Sequence, residues 1–299
     1  MALTQTRVKK RNEKHHWWPK TLSKHWSNSD GKVNGLRPTG EQITQKPTNF
    51  GFIKGAHNLL FEKKSDWEFS FERFFDEADN KMNGFVADLK EFRIFNEFGR
   101  VYSYATQDEL DKNLEVMSKC MLSLIIRSPE YRNNLGNMIT GIRGSISSKK
   151  ELEILISHNQ GLIYKRVYSS HIFGRGNFII MFSDENEFIF GDGFYNNFPV
   201  CPTQFLNFET VIPITPNIAV AWVFSNRFRT KPRAKAISIE PDDVLLINEA
   251  TQIYSKDFLF FRYQKPFLFE FFTKNQHLEI SPTTNYLHKL LLNELDSKI

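Results

Sequence analysis

The chain has 299 residues and a formal net charge of +5, and 40% of its residues are hydrophobic. This composition predicts a folded globule and excludes an intrinsically disordered chain. The first residues contain no apolar leader, and no run reaches the ~18 apolar residues of a membrane span, so we expect neither secretion nor membrane association. Because Cys120 and Cys201 lie in apolar surroundings without metal-ligand spacing, we expect a cytoplasmic protein with reduced thiols.

Residues 1–50 form a basic segment that is rich in aromatic residues, and its positions 14–26 read KHHWWPKTLSKHW. A chain terminus is ordered where a large contact offsets the entropy lost on ordering. We therefore predict that Trp18 and Trp26 are buried against the rest of the protein. The glycines and prolines that follow predict turns and irregular chain up to residue 50. Residues 51–299 are predicted to form a single α+β domain.

Residues 60–150 are predicted to be a helical lobe. Ser65 and Glu68 match a capping box, and apolar residues recur at threes and fours up to Phe92, which predicts one long or two tandem helices over 65–95. A second helical pattern runs from Gln107 to about Arg127 and stops before a proline.

Residues 160–299 contain short apolar runs bounded by turn-forming residues, which predict strands. These runs are GLIYKRVYS, NFIIMFS, EFIFGDG, TVIPITP and IAVAWVFS. Helical character returns over 241–256, and residues 258–272 are again strand-like or a buried aromatic run. Helices followed by strands predict an α+β fold, with a helical N-terminal lobe packed on a mainly antiparallel β-sheet in the C-terminal half.

The first half supplies two candidate catalytic residues. Histidine is the side chain best suited to proton transfer near neutral pH, although a histidine beside aromatic residues is also an ordinary packed residue. His16 is preferred to His15 because neighbours on a strand point to opposite faces. Glu72 and Asp79 lie two helical turns apart, and such a carboxylate line either binds a divalent cation or is the wet side of a helix.

Two further candidates lie at predicted element ends. Arg127 opens the sequence RSPEYR, where the helix must break, so its guanidinium either projects into a cleft or binds helix-end carbonyls. Asp192 stands between two glycines at the end of an apolar strand. Small neighbours let a ligand or another backbone approach closely, and an ordinary turn aspartate is the alternative.

The order of these features resembles the uncharacterised microbial family known as domain of unknown function 4238. The likeness covers most of the chain and depends on several short motifs: His16-x-x-Pro19, Trp26, Phe71-Glu72, Arg127-Ser-Pro-x-x-Arg132, Asp192, Pro213 and Pro216, and Asn248 with Tyr254. The chain departs from the family pattern at Trp17, Ser128 and the glycines flanking Asp192. The resemblance implies no established activity. It implies that His16, Glu72, Arg127 and Asp192 belong to one site.

An imidazole, carboxylates and a guanidinium in a basic protein suit phosphodiester chemistry, so we expect a nuclease. Its expected role is that of an intracellular toxin or phage-defence effector. In this hypothesis His16 is the general base or acid and Arg127 stabilises charge on phosphate. Glu72 and Asp192 either orient the histidine or, with Asp79, are the candidate ligands of Mg²⁺ or Mn²⁺. Basic clusters predict the nucleic-acid-binding residues Arg11, Lys14, Arg227, Arg229, Lys231 and Arg233.

Two other functions fit the same residues. Basic segments interleaved with Trp17, Trp18, Trp26 and Phe228 are also typical of a non-catalytic nucleic-acid-binding module. The polar residues would otherwise form a buried structural network, with the function residing in a surface for a partner. A solvent-open cleft around these residues would favour the enzyme, and a dry, satisfied network would favour the structural alternative.

Overall fold

A computed structural model of the protein describes residues 6–9, 14–59, 67–91, 95–97, 100–102, 107–144, 148–169, 172–198, 207–225, 233–274, 276 and 282–296. The fold is α+β, as the sequence predicts, with long helices in the first half and the larger sheet in the second. None of the described helices is long and apolar enough to cross a membrane.

The described α-helices are α1 Lys20–Ser23, α2 Asp76–Glu91, α3 Gln107–Arg127, α4 Pro129–Arg143, α5 Lys149–Tyr168, α6 Pro241–Tyr254, α7 Glu270–Thr273 and α8 Pro282–Asp296. Short 3-10 turns cover Lys24–Trp26, Pro47–Asn49 and Glu72–Phe75. The long helices pack in pairs, α2 on α3, α4 on α5 and α6 on α8. Ser128 caps the start of α4, since its hydroxyl accepts the backbone N–H of Tyr131.

The described strands are β1 Thr6–Lys9, β2 Lys14–His16, β3 Val33–Leu36, β4 Gln42–Gln45, β5 Phe52–Lys54, β6 Asn58–Leu59, β7 Trp67–Ser70, β8 Phe95–Glu97, β9 Arg100–Tyr102, β10 Asn177–Phe182, β11 Phe190–Gly191, β12 Tyr195–Asn196, β13 Asn207–Thr215, β14 Ile218–Ser225, β15 Ala234–Ser238 and β16 Leu259–Phe261. The largest sheet has the order β12-β13-β14-β10-β15 and is antiparallel except for the parallel pair β10 and β15. A four-stranded sheet has the order β11-β16-β3-β4.

Several sequence predictions are confirmed. The helix over 107–127 has the predicted bounds, and α6 fills the predicted late helix to within two residues. Strands occupy most of the apolar runs from NFIIMFS to IAVAWVFS. The prediction of a mainly antiparallel sheet in the C-terminal half is also correct.

Three predictions of local structure are wrong. The helix expected from residue 65 begins only at the 3-10 turn Glu72–Phe75, because Trp67–Ser70 pairs as a strand with β1 and β6. Residues 161–169 are the end of α5 and not a strand. The chain expected to be irregular before residue 50 contains β3 and β4, which join the C-terminal strand β16. In each case long-range pairing or packing overrides the local pattern.

The N-terminal tryptophans are buried, as predicted. Trp18 is 1% exposed and Trp26 is 0% exposed. The Trp18 ring lies 4.5 Å from the ring centres of Phe190 and Phe260, and the Trp26 indole N–H donates to the Ile214 carbonyl at 3.2 Å. These contacts fix the segment that carries His15 and His16 against the sheets.

Candidate functional site

Three side chains from separate segments meet beside the N-terminal segment: His15, His57 and Glu72, here called the histidine cluster. One potential ligand atom from each lies within 4.8 Å of the others. His15 belongs to β2, which pairs with β5, and the chain turns at Gly55 (φ 70°) to place His57 directly after β5. Glu72 opens the 3-10 turn that follows β7. The short pairing of β2 with β5 therefore assembles the cluster.

The histidine rings of the cluster are stacked and enclosed. The His15 and His57 ring centres are 5.0 Å apart with an interplanar angle of 16°. Both residues are buried, at 3% and 1% exposure, and the rings of Phe71 and Phe75 lie 5.0 and 4.9 Å from His57. The His15 Nδ1 atom accepts the backbone N–H of His57 at 3.0 Å. Glu72 is the open side of the cluster, because its side chain is 35% exposed.

Burial and pairing decide the protonation states in the cluster. Burial lowers the pKa of His57 to about 4, although its hydrogen bond with Glu72 acts in the opposite direction. Burial by itself raises the pKa of Glu72, but the hydrogen bond from His57 and nearby positive charges reverse that effect, and the net pKa is lowered. At neutral pH a neutral His57 therefore donates its Nδ1–H to an ionised Glu72.

Buried hydrogen bonds hold the turn that carries His57. The Ala56 carbonyl accepts hydrogen bonds from the Arg132 guanidinium at 3.0 Å and from the Ser157 hydroxyl at 2.9 Å. Arg132 also bonds Gln160 at 2.8 Å, and the Gln160 amide donates to the Ile126 carbonyl at 2.5 Å. These buried bonds attach the histidine cluster to α3, α4 and α5, which hold it in one position.

Arg127 is a structural link next to the cluster. Its side chain is 0% exposed, and its two terminal nitrogens donate to the Asp79 carboxylate at 3.0 and 2.5 Å. It also donates to the His16 backbone carbonyl at 3.4 Å and lies 5.0 Å from the Phe75 ring centre. A guanidinium with these partners and no exposure joins α2, α3 and β2.

The ring of His16 is only partly enclosed. Its Nδ1 atom is buried without a hydrogen-bond partner. Burial lowers the pKa of His16, and the Lys20 charge acts in the same direction, so the imidazole is neutral at pH 7. The negative charge of Glu72 acts on the same ring. His16, Glu72, Arg127 and Asp79 therefore form one neighbourhood around the histidine cluster.

Asp192 lies in a different group, here called the aspartate cluster and formed by Asp192, Glu130 and Asn196. The Asp192 carboxylate accepts the backbone N–H groups of Lys256 and Asp257 at 2.8 and 2.9 Å, just after α6 ends. Its carbonyl accepts the backbone N–H of Glu130 at 3.2 Å. These hydrogen bonds make Asp192 a link between α4 and the end of α6, with partners other than the predicted metal ligands Glu72 and Asp79.

The aspartate cluster holds two enclosed carboxyl groups. Burial raises the pKa of Asp192 to about 7 and that of Glu130 to about 8. The Glu130 carboxyl accepts amide N–H groups from Asn196 and Asn134, each at 3.0 Å. These partners act against burial in both cases, but they are neutral and do not cancel its effect.

Most of the predicted nucleic-acid-binding residues lie outside the part of the chain that the structure describes. Arg11, Arg227, Arg229 and Lys231 lie outside the described residues. Lys14 is exposed with its ammonium 4.3 Å from the Phe52 ring centre, and Arg233 donates to the Gly174 carbonyl. The proposed basic surface therefore stays a prediction.

No family model matches the chain, and the comparisons with curated proteins and with solved structures likewise found no match. The resemblance to domain of unknown function 4238 therefore stays a prediction. Of the residues that it groups, the structure brings His16, Glu72 and Arg127 into one neighbourhood and gives Asp192 other partners.

The sequence analysis missed the two buried histidines. His57 stands alone in the sequence KGAHNLL, which matches no metal or catalytic spacing. His15 was set aside because His16 was preferred, and the strand does point the two rings differently. The pairing of β2 with β5 turns the buried face toward Glu72, so His15 enters the cluster while His16 contributes its backbone to Arg127. The pairing of two such short strands has no signal in the sequence.

Proposed function

We propose that the protein is a nucleic-acid-acting phosphodiesterase, a nuclease, whose reactive centre is the histidine cluster. The observation that carries the proposal is the ionised, 35% exposed carboxylate of Glu72, backed by two buried histidines. A surface carboxylate is usually a solvated group, whereas Glu72 has an imidazole N–H bonded to it from the buried side. Such pre-organised pairs are typical of general acid–base sites.

The chemistry assigned to the cluster is general-base hydrolysis. Glu72 accepts a proton from a water molecule whose oxygen attacks phosphorus, and the P–O bond to the leaving nucleoside oxygen breaks. That oxygen then takes a proton from solvent. His57 holds Glu72 in place through its Nδ1–H, and the exposed lysines Lys14 and Lys20 supply positive charge near a phosphate backbone. Arg127 positions Asp79 and β2 and does not contact the phosphate.

Location and setting belong to the proposal as well. Cys120 is a buried free thiol, which is ordinary in a reducing compartment and supports the cytoplasmic location expected from the sequence. A role as an intracellular toxin or defence effector is likewise a proposal, and it depends on the nuclease activity.

The second candidate is a non-catalytic interaction protein in which both clusters are structural. The full burial of Arg127 and the enclosure of Asp192 favour it, because such groups join chain segments without meeting a ligand. The exposure of Glu72 distinguishes the two candidates, since a purely structural network has no need of an open carboxylate.

Cleavage of labelled single-stranded RNA, single-stranded DNA and duplex DNA by wild type and Glu72→Gln tests the proposal. We expect wild type to cleave one of these substrates and Glu72→Gln to lose about 100-fold or more in rate, the range for a lost general base. Asp76→Asn is the control, an exposed carboxylate close to Glu72 that should retain the wild-type rate. The proposal is contradicted if wild type cleaves none of these substrates with or without divalent ions. It is also contradicted if Glu72→Gln cleaves at the wild-type rate.

A further inference from the structure

We propose that His15, His57 and Glu72 bind one divalent transition-metal ion. The geometric basis is that one donor atom from each residue lies within 4.8 Å of the others. Three ligands each about 2.0–2.2 Å from a common ion are separated by roughly 3–4 Å, so small movements of the rings bring this cluster to coordination distances.

The donor set selects the class of ion. Two imidazoles and one carboxylate suit zinc, iron, cobalt or manganese, whereas magnesium takes oxygen ligands and keeps most of its water. Two histidines and a glutamate are also a ligand set of catalytic zinc sites, in which a further position stays open for water. The cluster therefore replaces the oxygen-only set expected from the sequence, in which Glu72, Asp79 and Asp192 held Mg²⁺ or Mn²⁺.

The surroundings of the cluster have the features of a supported site. The backbone of the His57 turn is fixed through the bonds that the Ala56 carbonyl accepts from Arg132 and Ser157. The rings of Phe71 and Phe75 cover His57, and the open side is Glu72. An enclosed pair of imidazoles with one open carboxylate gives an ion fixed ligands on one side and solvent access on the other.

Nearby charges also permit a cation. The buried guanidinium of Arg127 acts on Glu72 and His57, and its bidentate bond to Asp79 offsets its charge. Lys14 and Lys20 carry further positive charge near His16, and both are exposed, so solvent screens them. Glu72 supplies the negative charge that faces the ion.

The three ligands are not equivalent. His57 and Glu72 already face each other across the Nδ1–H, so an ion binds both once the Nδ1 proton is displaced and the two atoms move slightly apart. The His15 Nδ1 atom now accepts the His57 N–H, and coordination by His15 costs this hydrogen bond, because either Nδ1 turns to the ion or Nε2 binds the ion and the proton moves to Nδ1. We therefore expect His57 and Glu72 to contribute more to metal affinity than His15.

The inference uses the same side chains as the proposed function and rests on that proposal only for what the ion would do. With an ion bound, His57 and Glu72 would hold the ion, and the ion would activate the water in place of Glu72. Binding is measured without reference to cleavage. Full-length protein is stripped with a chelator, dialysed, and titrated with Co²⁺, followed by visible absorption, and with Zn²⁺, followed by calorimetry. We expect one ion per chain, a visible Co²⁺ spectrum and an upward shift of the melting temperature with Zn²⁺.

Variants test the assignment of ligands. Glu72→Gln and His57→Ala should each lose about 100-fold or more in affinity, and His15→Ala about 10-fold. His158→Ala is the matched control, an exposed histidine outside the cluster on α5, and it should bind as wild type. Glu72→Gln keeps the size of the side chain at a partly exposed position, so circular dichroism should show it folded even if His57→Ala unfolds.

The outcomes separate the two proposals. Wild-type protein that gives no Co²⁺ spectrum and no Zn²⁺ heat overturns the metal site, as does a folded Glu72→Gln protein that binds one ion with wild-type affinity. Absence of a Co²⁺ spectrum and of Zn²⁺ heat, together with cleavage that persists in chelator, overturns the metal site and leaves the nuclease standing. One bound ion with loss in the variants, together with no cleavage of any substrate, supports the metal site and contradicts the nuclease.

Discussion

The two buried polar clusters differ in how their carboxylates meet solvent and charge. In the histidine cluster Glu72 is 35% exposed on its side chain and has a lowered pKa beside an imidazole N–H. In the aspartate cluster Asp192 and Glu130 are 2% and 3% exposed, and burial raises their pKa values to about 7 and 8. An enclosed carboxyl with neutral partners takes up a proton, whereas an open carboxylate next to positive charge stays ionised.

This difference separates a group that can meet a substrate from one that joins chain segments. The carboxylate oxygens of Asp192 accept backbone N–H groups just after α6, and its backbone carbonyl accepts an N–H group at the start of α4. Glu72 has one oxygen bonded to His57 and a face open to solvent. The same residue type thus serves two roles because its surroundings differ.

The largest expected effect concerns the ion pair beside the histidine cluster. Asp79→Ala removes the partner of the fully buried Arg127 and leaves its charge unpaired, which should lower the free energy of unfolding by about 3 kcal/mol. Asp76→Ala, at an exposed position on the same helix, is the control and should stay within about 0.5 kcal/mol of wild type. Urea unfolding measures both. Equal effects of the two variants would show that Arg127 does not depend on Asp79.

The next effect concerns the backbone contact of the aspartate cluster. A Cβ atom at Gly193 would lie 1.9 Å from the Tyr254 carbonyl oxygen, a backbone atom that cannot turn away. Gly193→Ala should therefore cost about 2 kcal/mol or more. At Gly84 in α2 a Cβ meets nothing within 4 Å, so Gly84→Ala should stabilise the protein by about 0.5–1 kcal/mol. Thermal melts that show Gly193→Ala as stable as Gly84→Ala would exclude this close packing.

The pH dependence of stability distinguishes the clusters in another way. The pKa of Glu130 is about 8 in the folded protein against an ordinary value of 4.5, so the folded state binds more protons between these pH values. The contribution of Glu130 to stability should therefore fall as pH rises from about 4.5 to about 8, by at least about 1.4 kcal/mol, whereas His57, whose pKa is lowered to about 4, contributes a rise below about 6.5. Glu130→Gln cannot ionise and should lack this fall, so its stability relative to wild type should increase with pH over this window in urea titrations. Parallel profiles for the two proteins would contradict an enclosed, protonated Glu130.

The sequence predicts the parts of this molecule that depend on local periodicity. The helix over 107–127 is long and strongly amphipathic, so its bounds are correct. The end of α5 reads as a strand because it is short and rich in Ile, Val and Tyr, yet Gly161 lies there where a Cβ would contact the Phe71 ring at 3.4 Å. Packing of α5 against that ring has no local signature.

The candidate site shows the same limit. The sequence predicts Glu72 as a site residue because it shares one face of a predicted helix with another carboxylate, although it lies on a 3-10 turn. His57 was missed because its partners are 15 and 42 positions away and meet through two three-residue strands. The glycines flanking Asp192 predict a close approach by a ligand or by another backbone, and the backbone around the end of α6 lies there.

The smallest expected effect separates the two adjacent histidines of β2. His16→Ala should change the free energy of unfolding by less than about 1 kcal/mol, because the backbone carbonyl that Arg127 contacts remains and the buried Nδ1 atom has no hydrogen bond to lose. His15→Ala should cost about 2 kcal/mol, since it removes a buried stacked ring and leaves the His57 N–H without its acceptor. Both variants are compared by urea unfolding at pH 7. If His16→Ala costs as much as His15→Ala, the His16 ring is part of the packing around Glu72, and the histidine cluster extends to both faces of the strand.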